Sequence, residues 1–308
     1  MSAPNLLRNV SEADIARCLS GEGLGLSVAS FRCLLWSDTG RLTAPVKMLY
    51  QDHVADVKPH GFYDFRIRLK KSRRSLVGRQ EVEFDWEGSS PFPSMKLEHA
   101  HPLFEWGLNW CVATAHGQNI VIHSAVIEKD GVALVLPGDP GSGKSTLCAA
   151  LVMSGWRLLS DELTVVSSTD GRVQPVPRPI SLKNKSIDII RARFPHAELT
   201  DPVTDTHKGA IAYARAPSAS IMAADQPVPI GFVVFPKYRT GTELGYQPLS
   251  RAAALTELLS NTFNVGLLGR TGFESLAQAM TGAQCYAVEY GDLDSILAWI
   301  EATCQARA

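Results

Sequence analysis

The chain predicts an α/β protein, and three patterns predict it. Its middle reads strand, glycine-rich turn, helix, strand across "LPGDPGSGKSTLCAALVMSGWRLLSDELTVV", Leu136 to Val166. Between Gly23 and Trp86 it runs in short alternating stretches broken by Gly, Asp and Pro, the period of half-buried strands. Toward the C-terminus the apolar residues recur at helical spacing. With 308 residues, 45% of them hydrophobic, the chain can build one large domain or two ordinary ones.

Taken in order, "LGLSVASFRCLLW", "FYDFRIRL" and "QEVEFDW" are the first strands. The basic run "RLKKSRRSLVGR", Arg68 to Arg79, alternates in polarity without interleaved aromatics and reads as a solvated strand edge. "EGSSPFPS", Glu87 to Ser94, interrupts the pattern and sets a boundary between a mostly β N-terminal domain (1–94) and a second domain (95–308). "HPLFEWGLNWCVATAHG" follows as a helix with Leu103, Trp106, Trp110 and Val112 on its apolar spacing, closed by Gly117. "NIVIHSAVIEKDGVALVLPG" then gives two strands around the Asp130-Gly131 turn, with His123 inside the first. Asp170-Gly171 marks another hairpin. "VPRPISLKNKSIDIIRARFP" supplies a proline-bounded basic loop, with Arg178, Lys183 and Lys185, and then a short helix. "RAAALTELLSNTFN" and "DLDSILAWIEATCQARA" are the closing helices.

Thirty basic residues against thirty-one acidic ones leave no net field to draw the chain to nucleic acid or an anionic membrane. The start, "MSAPNLLRNVSEADIARCLS", has no apolar stretch long enough for a signal peptide or a span. The six cysteines form no C-x-x-C pair, which fits a reducing cytoplasm and makes Cys148 a small core residue.

The chemistry starts at the turn. Gly138, Asp139, Pro140, Gly141, Ser142, Gly143, Lys144 and Ser145 satisfy G-x-x-x-x-G-K-[ST] between an apolar strand (Val132 to Leu136) and a helix (Ser145 to Met153, closed by Gly155), and Thr146 follows on that helix. Glycines let successive backbone N–H groups turn inward around phosphates, and the helix N-terminus adds partial positive charge. In such a cradle Lys144 reaches the β- and γ-phosphates and the Ser145 hydroxyl ligates Mg²⁺. The expected ligands are ATP and Mg²⁺; a guanine signature N-K-x-D is absent, since "NKSI" at Asn184 to Ile187 lacks the acid.

"RLLSDE" ends an apolar strand in Asp161 and Glu162, expected beside the cradle strand with its carboxyl end toward the ligand. Two adjacent acids permit a division of labour, one at the metal and one accepting a proton from an incoming hydroxyl. The alternative is an ATPase with Asp161 on the metal and Glu162 polarising water. His123 is either a hydrogen-bonded core histidine or part of the site.

The block from His123 to Val166, with "HSAV", "GDPGSGKS" and "RLLSDELTVV", resembles the catalytic domain of bacterial HPr kinase/phosphorylase, and more closely its HprK-related kinase A branch. The resemblance spans about Asn119 to Ser220. It implies a P-loop kinase core of the HPr kinase/phosphoenolpyruvate carboxykinase type. It also implies Asp161 as general base, Glu162 at the metal with Ser145, and His123 assisting Asp161. Glu162 stands where that enzyme has aspartate. "THKGAIAYARAP" replaces its arginine-glycine signature, so Lys208 is the expected phosphate or acceptor contact. Read apart from the resemblance, Arg178, Lys183 and Lys185 of the basic loop are either solvated charges or contacts to nucleotide phosphates or the acceptor. The N-terminal half does not match and is assigned partner recognition. The implied activity is ATP- and Mg²⁺-dependent transfer of the γ-phosphoryl group to a Ser or Thr hydroxyl of a peptide or small protein, handed over by a PqqD-like peptide-binding protein. A small-molecule hydroxyl kinase and a nucleotide-binding switch that transfers nothing stay open, as does a homo-oligomer.

Overall fold

The computed structural model describes residues 5–72, 80–115 and 119–306, and over these the protein is mixed α/β. The first part of the chain contributes α1 (Glu12–Ser20), β1 (Leu24–Val28), β2 (Phe31–Ser37), α2 (Thr43–Leu49), β3 (Val54–Asp56), β4 (Phe65–Lys71), β5 (Glu81–Trp86), β6 (Met95–Lys96) and α3 (Ala100–Ala115). Ser11 caps α1 by accepting from the Asp14 N–H. The six strands order as β3-β1-β2-β4-β5-β6, with β2 and β4 parallel and the other pairs antiparallel.

In β4 the alternation of the sequence becomes two faces: Phe65, Ile67 and Leu69 are buried while Arg66, Arg68 and Lys70 are exposed. The basic run is therefore solvated, but β4 is an interior strand and not an edge; residues 73–79 of that run lie outside the described residues. Arg68 stacks on Trp36 and Lys70 pairs with Asp85 across the strands.

The packing does not part at residue 94. β6 pairs with β5, and α3 lies against β4, β5 and β6, so one hydrophobic cluster runs from Leu24 and Phe65 through Leu103, Phe104 and Val112 to Val165 and Tyr213. α3 approaches so closely that a Cβ on Gly107 would stand 1.9 Å from the Phe84 ring. Gly107→Ala is expected to destabilise the protein by roughly 3 kcal/mol, read as a lower denaturant midpoint, because neither the helix nor the buried ring can yield. Gly117, the expected helix end, lies outside the described residues.

The rest of the chain gives β7 (Ile120–Ile122), β8 (Ser124–Lys129), β9 (Val132–Pro137), α4 (Lys144–Met153), β10 (Arg157–Ser160), β11 (Thr164–Val166), β12 (Val173–Gln174), β13 (Ile180–Lys183) and α5 (Lys185–Arg193). It continues with β14 (Val203–Thr206), β15 (Gly209–Ala214), α6 (Ser218–Met222), β16 (Ile230–Tyr238), β17 (Gly245–Leu249), α7 (Arg251–Ser260), α8 (Val265–Ala279), β18 (Gln284–Tyr290) and α9 (Leu293–Gln305). A second sheet has the order β10-β8-β9-β16-β18-β17, and three-stranded sheets form from β12-β11-β7 and β13-β15-β14. The centre of the second sheet is buried on both faces, which is why β9 and β16 read as nearly unbroken apolar runs, whereas the edge strand β17 is exposed. Ala125, Leu134 and Phe232 face α4 and α9, while Val126, Val135 and Val233 face α7 and α8.

Three expectations change here. "NIVIHSAVIEKDGVALVLPG" folds as three strands, because the chain passes from one sheet to another at His123. β10 does not lie beside β9: β8 stands between them, antiparallel to both, so β10 runs parallel to β9 one strand away and ends at the same edge. "RPISLKNKS" contains a strand, β13, and the start of α5, and is not a loop. No helix among the described residues is long and apolar enough to cross a membrane.

Candidate functional site

Strand register sets the site. Ser124 pairs with Pro137, which brings His123 level with the start of the glycine turn. β8 and β10 pair through Val126 and Ser160, then both chains leave this sheet and pair again as β7 and β11 through Ile122 and Thr164. The two bends are side by side, tied by a 2.6 Å hydrogen bond from Ser124 Oγ to Thr164 Oγ1. His123 occupies one bend, and Asp161 and Glu162 the other.

The turn between β9 and α4 has positive φ at Gly138 (140°), Gly141 (90°) and Gly143 (94°). Gly143 caps α4, and its O accepts the first helical bond from the Leu147 N–H. The Tyr238 N–H, at the end of β16, donates to Ser142 O at 3.0 Å and pins the turn to the sheet. A Cβ at position 143 would stand 2.4 Å from Tyr290 Oη. On the sequence-based expectation that this turn binds nucleotide phosphates, Gly143→Ala should raise the nucleotide Kd at least about tenfold by calorimetry, since both the left-handed backbone and the tyrosine oppose it. Lys144 Nζ donates to Gly138 O and, at 3.0 Å, to Asp139 O, so the lysine lies folded over its own turn. Burial lowers its pKa.

A cavity of about 670 Å³ opens over the helix start. Its walls include the polar side chains of His123, Lys144, Ser145, Thr146, Asp161, Glu162, Lys183 and Lys208 together with Ile189, Tyr238, Tyr290 and Leu293. Pro140, Gly141 and Gly143 also line it, whereas Gly138, Asp139 and Ser142 line an open groove of about 800 Å³ on the other flank of the turn, which Gly141 shares. Of the residues expected from sequence, all but Gly138, Asp139, Ser142 and Arg178 line this one cavity. Tyr238, Tyr290 and Ser181 were not foreseen. The two tyrosines end the parallel strands β16 and β18 in the same register, a placement at strand carboxyl ends that the apolar runs "GFVVFPKY" and "AVEY" hint at.

Asp161 is only 5% exposed, and its Oδ2 accepts from the Ser181 N–H at 2.9 Å. Burial, and then the neighbouring Glu162, push its pKa up to about 6 against the lowering effect of the Ser181 amide, Lys183 and the Ser145 hydroxyl. Burial also pushes Glu162 upward, but the hydrogen bond from His123 and the charges of Lys183 and Lys208 outweigh it and hold Glu162 well below the usual carboxylate range. Lys183 Nζ is 3.4 Å from Glu162 Oε1, and His123 Nε2 is 3.7 Å from Glu162 Oε2. His123 therefore partners Glu162, not Asp161 as expected: the bend that carries it faces the second acid.

Arg178 is the other correction. It is buried, pairs with Glu105 of α3 (Nη2 to Oε2, 2.7 Å) and donates to Asn109 Oδ1 at 2.6 Å. Tyr50 and His101 reach the same carboxylate, at 2.9 Å and 3.4 Å. Burial lowers the Arg178 pKa, yet the Tyr50 and Glu105 contacts more than offset this and leave it raised. Arg178 ties α3 to the approach to β13 and is not a wall of the large cavity. Lys208 is, with its Nζ 5.2 Å from the centre of the Trp106 ring.

Among the described residues, no set of three or more His, Cys, Asp or Glu side chains converges on a metal position. The Ser145 hydroxyl and the Glu162 carboxylate in one cavity are hard oxygen donors that suit Mg²⁺, an ion commonly held by one or two carboxylates together with substrate phosphates. No model of a known protein family matches the chain, and no curated protein matches it.

Proposed function

We propose that the protein is an ATP- and Mg²⁺-dependent kinase with a P-loop core of the HPr kinase/phosphoenolpyruvate carboxykinase type. It transfers the γ-phosphoryl group to a Ser or Thr hydroxyl of a peptide or small protein. The observation that carries this reading is the convergence of two carboxylates of opposite character on one cavity at the glycine-rich turn and the start of α4. Asp161, with its pKa raised toward neutrality, suits proton acceptance, and Glu162, held anionic by His123 and Lys183, suits a cation. A switch that only binds nucleotide has no use for the first.

In this reading the inward N–H groups of the turn and the α4 N-terminus bind the phosphate oxygens, and Lys144 leaves the Gly138 and Asp139 carbonyls to reach the terminal phosphates. Ser145 and Glu162 would hold Mg²⁺, which when bound neutralises charge on those oxygens. Asp161 takes the proton of the acceptor hydroxyl. Lys183 and Lys208, which line the same cavity, balance the charge that develops on transfer, so positioning and electrostatics supply most of the rate. His123 orients Glu162.

The test is incubation of the purified protein with γ-labelled ATP, Mg²⁺ and a cognate cell extract, followed by mass spectrometry of whatever gains label. A labelled seryl or threonyl peptide is the expected product. Label confined to a small molecule would replace the acceptor class, and ATP bound without any label transferred would favour the switch.

A further inference from the structure

Asp161 also borders a second, much smaller space on the protein's inner side. This cavity of about 10 Å³ matches the ~10–15 Å³ that one water molecule needs. Trp106 of α3, Arg178, Ser181 of β13 and Tyr213 of β15 complete its polar wall, and Asp161, Glu162 and Ser181 line both this space and the large cavity. Five side-chain atoms of this wall are buried without a hydrogen-bond partner: Asp161 Oδ1, Ser181 Oγ, Tyr213 Oη, Arg178 Nε and Trp106 Nε1.

Buried polar atoms are nearly always satisfied, by protein or by ordered water, so five orphans around one water-sized space call for a shared partner. The chemistry of the wall is complementary. The carboxylate Oδ1 only accepts, Arg178 Nε–H and Trp106 Nε1–H only donate, and the two hydroxyls do either. A single water can satisfy four of the five: it donates to Asp161 and to one hydroxyl while accepting from Arg178 and from the other hydroxyl, which leaves the Trp106 Nε1–H outside its four bonds.

We infer that this cavity holds one ordered water bridging Asp161 Oδ1 to Tyr213 Oη and the Arg178 Nε–H, which makes Tyr213 a positioning residue for Asp161. The positioning role rests on the reading of Asp161 as the proton acceptor. Oδ2 is already fixed by the Ser181 amide at 2.9 Å. With Oδ1 held through the water, the carboxylate plane has one orientation, and the water's other partners are themselves anchored: Arg178 by Glu105 and Asn109, and Tyr213 by full burial against His101. Misplacement of a reacting group by about 1 Å can cost on the order of 10²-fold in rate, so loss of this strut is read in turnover, not in nucleotide affinity.

Tyr213→Phe removes one hydroxyl from the full-length chain with little change in volume. In a crystal structure sharp enough to order internal water, the native protein is expected to show one water ~2.6–3.2 Å from both Asp161 Oδ1 and Tyr213 Oη. In Tyr213→Phe that water is lost and the Asp161 carboxylate takes a second rotamer. Steady-state turnover of Mg·ATP should show kcat lowered about tenfold with the nucleotide KM within about twofold of native, a split that general destabilisation does not produce. A dry native cavity, an unmoved Asp161 in the variant, or an unchanged kcat each overturns the inference. If Tyr213→Phe does not fold, Ser181→Ala carries the same measurements. Native protein that turns over no ATP would sink the kinase reading, while the crystallographic comparison would still decide whether Tyr213 and the water hold Asp161.

Discussion

Asp161→Asn is expected to lower phosphoryl transfer by about 10³-fold while leaving the nucleotide Kd within about twofold of native, the size of effect that general-base removal produces. The amide keeps the shape of the carboxylate and can still accept from the Ser181 N–H, so the cradle should stay formed. What it loses is the ability to take a proton. Transfer measured with labelled ATP and affinity measured by calorimetry must therefore separate. Equal loss of both would make Asp161 a nucleotide-binding residue, and unimpaired transfer would remove it from the chemistry.

Arg178→Ala is expected to cost about 3–5 kcal/mol of unfolding free energy, because it removes the guanidinium paired with the buried Glu105 carboxylate and leaves that charge only His101 and Tyr50 beside it. Glu105 is 2% exposed. Burial raises its pKa, and contacts from His101 and Arg178 reverse that and hold it ionised. Chemical denaturation measures the loss. By contrast, a variant that lost nucleotide affinity at native stability would restore Arg178 as a phosphate contact.

The legible part of the site was its local part. Gly138 to Thr146 declares itself because backbone geometry there is dictated by neighbours in sequence: three positive φ angles, a helix start, and a lysine and a hydroxyl at fixed offsets. Asp161 and Glu162 were legible as a strand end for the same reason. Arg178 misled because a basic residue between prolines looks solvated, and only packing against α3 reveals its acid. The boundary drawn at Ser94 came from composition, whereas β6 and α3 follow the hydrophobic surface of the first sheet across it.

Sequence alone determined the α/β character, the glycine-rich turn before a helix and the pair of acids, all properties of short stretches whose propensities and side-chain spacing act over a few residues. The tertiary structure decided which acid His123 meets, that β8 stands between the cradle strand and the acid strand, and that Tyr213 and Arg178 close a pocket behind Asp161. These depend on strand register and on bends between sheets. Such pairings join residues far apart in the chain, where side-chain packing and hydrogen-bond satisfaction across the whole fold choose among arrangements that local preference leaves equal.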